Sequence, residues 1–340
     1  MRRRSFLILA AGAAAGFAQK KPVAIGFLGA SHSHADGKIE VVLSLPDWRV
    51  IGACERNPKV QEKLRKQGIE LLTREQLLGH PEIQAIAVES PVREHAADGL
   101  AVLEAGKHLH LEKAPAYNMA EFQRIVETAR KKGLLLQVGY MWRYHTAILK
   151  ALEAARQGWL GSVYLVKAAI SNQLDPSRRP EWAEFAGGIM FELGGHLIDP
   201  MVRLMGHPRR ITPFLRKDGA FDDTLKDNTI AVLEWDRAIG IVQGSTMQPG
   251  SSRYRDFEIH GTNGCAIVNP IEPPGLTVDL QKPAGPYNAG VQKAEVPPYR
   301  RYVDDLTELA AAVRGESRLR TTFDEDLMVH EALLRCSGML

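Results

Sequence analysis

The chain has 340 residues, 43 Lys plus Arg against 40 Asp plus Glu, and is 45% apolar and 24% charged. Those fractions belong to a folded globular chain and exclude a disordered or collagen-like one, and the length suits about two domains. Three widely spaced cysteines with no C-x-x-C pair exclude a disulfide framework and a cysteine zinc site.

The net charge of +3 is unevenly placed. Arg2, Arg3 and Arg4 account for it, so the remaining body is neutral. A neutral body argues against nucleic acid as a partner, because phosphate neutralisation needs a basic face. Arg3-Arg4-Ser5-Phe6-Leu7 leads into an uncharged run from Phe6 to Ala18. That run falls short of the roughly 20 residues a bilayer span needs. With small residues at Gly16 and Ala18, it reads as a signal peptide over 1–18. The paired arginines resemble a twin-arginine signal, which implies export to the periplasm in folded form and no stable membrane span. The alternative is an unprocessed N-terminal helix on a cytoplasmic protein.

Val23 to Leu28 is a short apolar run ending at Gly29, the pattern of a buried strand. Helix 35–45, strand 48–54, helix 58–67, strand 85–88, helix 92–105, strand 108–111, helix 118–132 and strand 134–138 follow. Gly106 and Gly133 serve as helix stops. Strands alternating with helices imply a doubly wound α/β Rossmann sheet, here 19–140. Beyond it the pattern changes. Helix 145–157, strand 162–171 and helix 189–205 precede strands at 210–216, 228–236, 238–246, 255–260, 264–268 and 275–281. Helices at 299–314 and 324–337 close the chain. This predicts a second α+β domain, 141–340, built on a large, mostly antiparallel open sheet.

A dinucleotide fingerprint reads G-x-G-x-x-G between the first strand and helix. Here the loop is Gly29-Ala30-Ser31-His32-Ser33-His34, so only the first glycine is kept. Gly29, Ser31, His32 and Ser33 are placed against a pyrophosphate, beside backbone N–H groups at the helix start. His34 should crowd the contact that a third glycine permits. Glu55, closing the second strand, suits both ribose hydroxyls and favours NAD. Arg56 beside it leaves NADP open. His32 and His34 also raise a metal reading, but the sequence places no third ligand, so no metal is expected.

Four further segments go together: Glu89-Ser90-Pro91 with His95; Glu112-Lys113; Gly139-Tyr140-Met141-Trp142-Arg143-Tyr144; and Gly187 to Asp199, which contains Glu192, Gly194-Gly195 and His196. Their order and spacing resemble the glucose–fructose oxidoreductase, inositol dehydrogenase and rhizopine catabolism (Gfo/Idh/MocA) family, over nearly all of the chain past residue 18. The resemblance implies a nucleotide domain, an open-sheet substrate domain, and NAD(P)-dependent oxidation or reduction of sugars or cyclitols in the cleft between them. It implies cofactor contacts at Ser90, Pro91, His95, Glu112 and Lys113. It matches Lys113 to the lysine of an E-K-P motif, and Glu192 and His196 to the acid and histidine of a D-x-x-x-H motif. It also implies a homo-oligomer assembled through the open sheet. Two departures stand out: Ala114 replaces the proline after the lysine, and the acid is Glu rather than Asp.

Alcohol oxidation needs a base for the hydroxyl proton, and His196 suits it. Glu192, four residues earlier on the expected helix, is placed to orient that imidazole. Lys113 is placed to stabilise a developing alkoxide. Tyr140, Trp142, Arg143 and Tyr144, at the domain crossover, are candidates to line a carbohydrate site or to pack in the core. Asp199 either accepts bonds from sugar hydroxyls or pairs with Arg203. Export implies a tightly held nucleotide regenerated in place. Two further readings remain: redox-neutral epimerisation or glycoside cleavage through transient ring oxidation, and a non-catalytic carbohydrate-binding protein on the same fold.

Overall fold

A computed structural model describes residues 21–340; the expected signal segment lies outside the described residues. The first sheet is five parallel strands: β1 (Val23–Leu28), β2 (Trp48–Cys54), β3 (Ala85–Val88), β4 (His108–Leu111) and β5 (Leu136–Val138). They stand in the order β2-β1-β3-β4-β5. β1 and β3 are buried at every residue, as expected where helices cover both faces. The connecting helices are α1 (Ala35–Ser44), α2 (Pro58–Lys66), α3 (Arg74–Gly79), α4 (His95–Glu104) and α5 (Met119–Lys132). The strand order reverses between β1 and β3, which opens a ligand crevice at their carboxyl ends.

The second half holds α6 (Thr146–Arg156), β6 (Val163–Ala169), α7 (Arg179–Ala183), α8 (Gly195–Met205), and strands β7 (Arg210–Arg216), β8 (Asn228–Glu234), β9 (Ile239–Ser245), β10 (Asp256–Gly261), β11 (Gly264–Val268), β12 (Leu276–Leu280) and β13 (Gly290–Ala294). α9 (Val303–Val313) and α10 (Phe323–Cys336) close the chain. The eight strands order as β13-β12-β11-β10-β6-β9-β8-β7. Every pairing is antiparallel except β6 with β9. Phe214 and Ile230, directly paired across β7 and β8, are both exposed.

Several elements depart from expectation, among them α7, five residues in a stretch with no helical pattern of its own. α3 has six residues, too few for a periodic signal, though Thr73 and Gln76 form a capping box at its start. β13 is an edge strand with no buried residue and so carries no hydrophobic pattern. The last-but-one helix starts at Val303 rather than 299, behind Tyr302 at φ 68°. Helix 189–205 is not one helix: a π-helical turn, Met190–Gly194, precedes α8. π-turns recur at functional sites, and this one holds Glu192.

Candidate active site

Two cavities include residues of the loop after β1, at the carboxyl edge of the parallel sheet. The larger, about 560 Å³, is lined by Gly29, Ser31, Glu55, Arg56, Ser90 and Pro91 among others. Gly29 sits at φ +77°, and a Cβ there would lie 2.5 Å from the Ser90 backbone. The turn off β1 therefore needs glycine on two counts. Glu55 Oε2 accepts the Ala30 N–H at 2.7 Å, and its Oε1 accepts those of Arg56 and Asn57 at 2.7 Å each. The carboxylate is thus locked at the end of β2, beside the mouth of the phosphate loop. Tight turn, fixed carboxylate and cavity together fit the adenosine half of a nicotinamide dinucleotide.

His34 does not wedge between helix and strand. Standing at the N-cap of α1, its Nδ1 lies 3.0 Å from Glu112 Oε1, and its ring is 5.7 Å from that of His196. Behind it is a buried charge cluster. Lys38 Nζ donates to Glu89 Oε1 at 2.6 Å and to Glu112 Oε2. Burial raises the Glu89 carboxyl to about 8, even against the nearby Lys38 charge. Lys38 and the neighbouring histidines hold Glu112 ionised, well below its usual range, against the opposing effect of burial. The cluster is therefore Lys38⁺ with one carboxylate and one carboxylic acid. Glu112 is fully buried, with both carboxylate oxygens engaged by protein groups. His32, His34 and Glu112 bring one ligand atom each within 4.8 Å of one another, which supplies the third ligand the sequence could not place. Glu112 already accepts from Lys38 and from the Lys113 N–H at 2.9 Å, so its charge is balanced by the protein and we assign no ion.

His95 is also a framework residue rather than a cofactor contact. It is fully buried, with Nδ1 2.8 Å from the Ala114 carbonyl and Nε2 2.9 Å from that of Ser90. It ties the loop after β3 to the loop after β4.

The second cavity, about 210 Å³, includes Ser33, His34, Trp142, Glu192, His196 and Arg255 in its walls. Gly195 brings α8 against Tyr140, where a Cβ would stand 2.8 Å from the ring. That close approach seats the His196 ring 5.3 Å from Trp142. Both imidazole nitrogens of His196 lack a partner among the described residues. Burial, then the nearby Lys113 charge, hold its pKa well below 6.5, so the ring is neutral with a free lone pair. Glu192 does not orient it. In the π-turn, the Glu192 carboxylate accepts from Lys113 Nζ at 2.8 Å, and its carbonyl accepts from the same nitrogen at 2.9 Å. Lys113, followed by Ala114, meets Glu192 but is not itself among the residues that line the cavity. It lies buried just behind Glu192, with one of its three donors unspent.

Four residues expected to contact substrate, Tyr140, Arg143, Tyr144 and Asp199, are instead held by protein partners and do not line this cavity. Arg143 Nε donates to Asp199 Oδ1 at 2.8 Å and its Nη2 lies 2.6 Å from Asp326 Oδ1, all fully buried. Asp199 thus meets Arg143, with Arg203 further off at 3.8 Å. Tyr144 Oη donates to Glu308 at 2.6 Å and accepts from Gln137 at 3.1 Å. Tyr140 is buried with Arg143 4.9 Å over its ring. Of the four crossover residues only Trp142 lines the cavity. Sequence reasoning missed Lys38, and also Arg178, Arg255 and Arg301 in the cavity wall. Lone basic residues in helices and loops carry no local pattern that marks them.

A family profile described as an oxidoreductase family, NAD-binding Rossmann fold, matches residues 23–140, and a Gfo/Idh/MocA C-terminal domain profile matches 148–267. The chain belongs to the Gfo/Idh/MocA family. It is 26% identical over 201 residues to the scyllo-inositol 2-dehydrogenase (NADP+) IolW of Bacillus subtilis, covering 58% of this chain and 55% of that protein. It is 24% identical to the levoglucosan dehydrogenase of Pseudarthrobacter phenanthrenivorans, over 72% of this chain and 71% of the relative. The fold also matches crystalline GenD2 from gentamicin A biosynthesis in complex with NAD, with TM-score 0.79, 20% identity, and 94% and 95% of the two chains covered. As a family member, the chain is an NAD(P)-dependent oxidoreductase of CH–OH groups.

Proposed function

We propose that the chain transfers hydride between a ring carbinol of a sugar or cyclitol and a tightly held NAD(P), with residues 19–140 as the nucleotide unit and 141–340 as the substrate unit. The observation that carries this reading is the convergence, at the end of the nucleotide cleft, of a neutral His196 with both nitrogens unpaired and a Lys113 ammonium with a spare donor. The nicotinamide, when bound, supplies the hydride acceptor. His196 accepts the hydroxyl proton, Lys113 stabilises the developing alkoxide charge, and Glu192 fixes the ammonium rather than the imidazole. Trp142 offers an apolar face to the ring, and burial excludes water. Glu55 supports NAD as the cofactor. The relatives' activities on scyllo-inositol and levoglucosan support the substrate class. Assembly through the open sheet is supported by the exposed Phe214 and Ile230. Export is supported by Arg3-Arg4 and the uncharged run behind them; among the described residues no helix is long and apolar enough to cross a membrane.

The experiment is nucleotide reduction followed at fixed sugar and cyclitol concentrations. Lys113→Met and His196→Ala should each lower kcat by at least about 10²-fold while the bound nucleotide is retained. Rates near wild type in both variants would refute the assignment.

A further inference from the structure

The substrate cavity has an uncompensated positive charge in its wall. Three arginines reach it from separate segments: Arg178 from the turn before α7, Arg255 just before β10, and Arg301 just before α9. Two of them are neutralised. Arg178 pairs with Glu181 at 3.3 Å and lies 5.7 Å from the Trp182 ring. Arg301 makes a two-pronged pair with Glu272. The acid in the cavity, Glu192, is itself neutralised by Lys113. Arg255 has no carboxylate partner among the described residues. Its Nε and Nη2 both donate to a single acceptor, the Ser171 carbonyl, at 3.2 Å; the like charge of Arg301 and, opposing it, that of the Glu272 already paired to Arg301 are both close enough to act on it. A half-buried guanidinium beside another cation is costly to desolvate without an anion. Its planar fork suits two parallel bonds to a carboxylate.

Resting on the hydride-transfer reading of the same site, we infer that the substrate is a sugar acid: one pyranose-sized ring bearing a single carboxylate, which Arg255 binds while a ring hydroxyl faces His196. One uncompensated cation calls for one negative charge, which favours a carboxylate over a doubly charged phosphate monoester. The cavity, about 210 Å³, is below the roughly 300–1,000 Å³ of sites for drug-sized ligands and suits a single ring. Arg255 thereby fills the role expected of Arg143.

The test is calorimetric titration of the full chain loaded with NADH, in which an alcohol binds without being oxidised. The probes are D-glucuronate and D-galacturonate, their neutral parents D-glucose and D-galactose, and D-glucose 6-phosphate. Each uronate should bind at least about tenfold more tightly than its parent, as a charge-assisted bond implies. Arg255→Met should reduce that advantage to below about threefold. Arg255→Lys, which keeps charge but not the fork, should retain part of it and serves if the Met variant does not fold. The inference is overturned if the neutral sugars bind as well as the acids, if none of the acids binds, if the phosphate binds best, or if the advantage survives Arg255→Met. NADH formation from the uronates, the neutral sugars and cyclitols is measured separately with the NAD+-loaded chain. Turnover of these without a uronate preference removes this inference alone. Uronate binding with no NADH formation from any probe removes the hydride-transfer reading instead.

Discussion

Lys38→Met isolates the buried charge cluster behind the site. The side chain is fully buried, and methionine nearly matches its length, so packing is conserved while the charge is lost. In the native cluster Glu89 keeps its proton at neutral pH, because burial raises it to about 8, so Lys38 balances Glu112 alone. Without Lys38, Glu112 is a buried carboxylate facing another carboxyl group. Its cheapest relief is to take up a proton. From an ordinary carboxyl value of 4.5, neutralisation at pH 7 spans about 2.5 pH units at about 1.4 kcal/mol each, so the variant should lose about 3 kcal/mol. That matches the ~3–5 kcal/mol typical of breaking a buried pair by removing one partner. The sign follows from linkage. A carboxyl whose folded pKa is raised contributes stability below its unfolded value and loses it as pH rises. The deficit should therefore shrink to below about 1 kcal/mol at pH 5. Urea unfolding of wild type and variant at pH 5 and pH 7, followed by circular dichroism, measures both. A deficit under about 1 kcal/mol at pH 7, or one equal at the two pH values, would refute the reasoning.

Two other outcomes are expected. Gly29→Ala should weaken nucleotide affinity by at least about tenfold and lower the thermal midpoint, because the new Cβ meets the Ser90 backbone at 2.5 Å and the residue must keep φ +77°; equilibrium dialysis of NAD+ and a melting curve check this. Thermal stability should peak near pH 6.5: burial pushes His110 and His330 down to about 3 and holds His34 and His196 neutral, so their contribution is lost as pH falls from 6.5 toward those values, while burial raises Asp305 to about 7 and Glu89 to about 8, so theirs is lost as pH rises from the ordinary carboxyl values up to those, a loss the histidines outweigh only below pH 6.5. Scanning calorimetry in steps from pH 4 to 9 reads the maximum, and a midpoint still rising at pH 8 would contradict it.

The sequence alone determined the parallel sheet, because buried runs such as Val23–Leu28 and Ala85–Val88 alternate with amphipathic helices, and that periodicity is local. It also determined the elements that carry Gly29, Glu55, Lys113 and His196, since each stands at the end of a strand or on a helix bounded by turn residues. Pairing was decided elsewhere. Glu192 and His196 are four apart, yet a π-turn and the arrival of Lys113 from the other sheet give the carboxylate to the ammonium. Arg143 and Asp199 are 56 residues apart in sequence, and only packing of the crossover against α8 and α10 shows that they neutralise each other in the core. The same holds for Arg255, whose lack of a carboxylate is a property of its surroundings. Periodicity is written in neighbouring residues, whereas charge balance is summed over side chains that meet only when the chain folds. That is why the sequence located the strands and helices and only the tertiary structure showed which charges are paired within the protein.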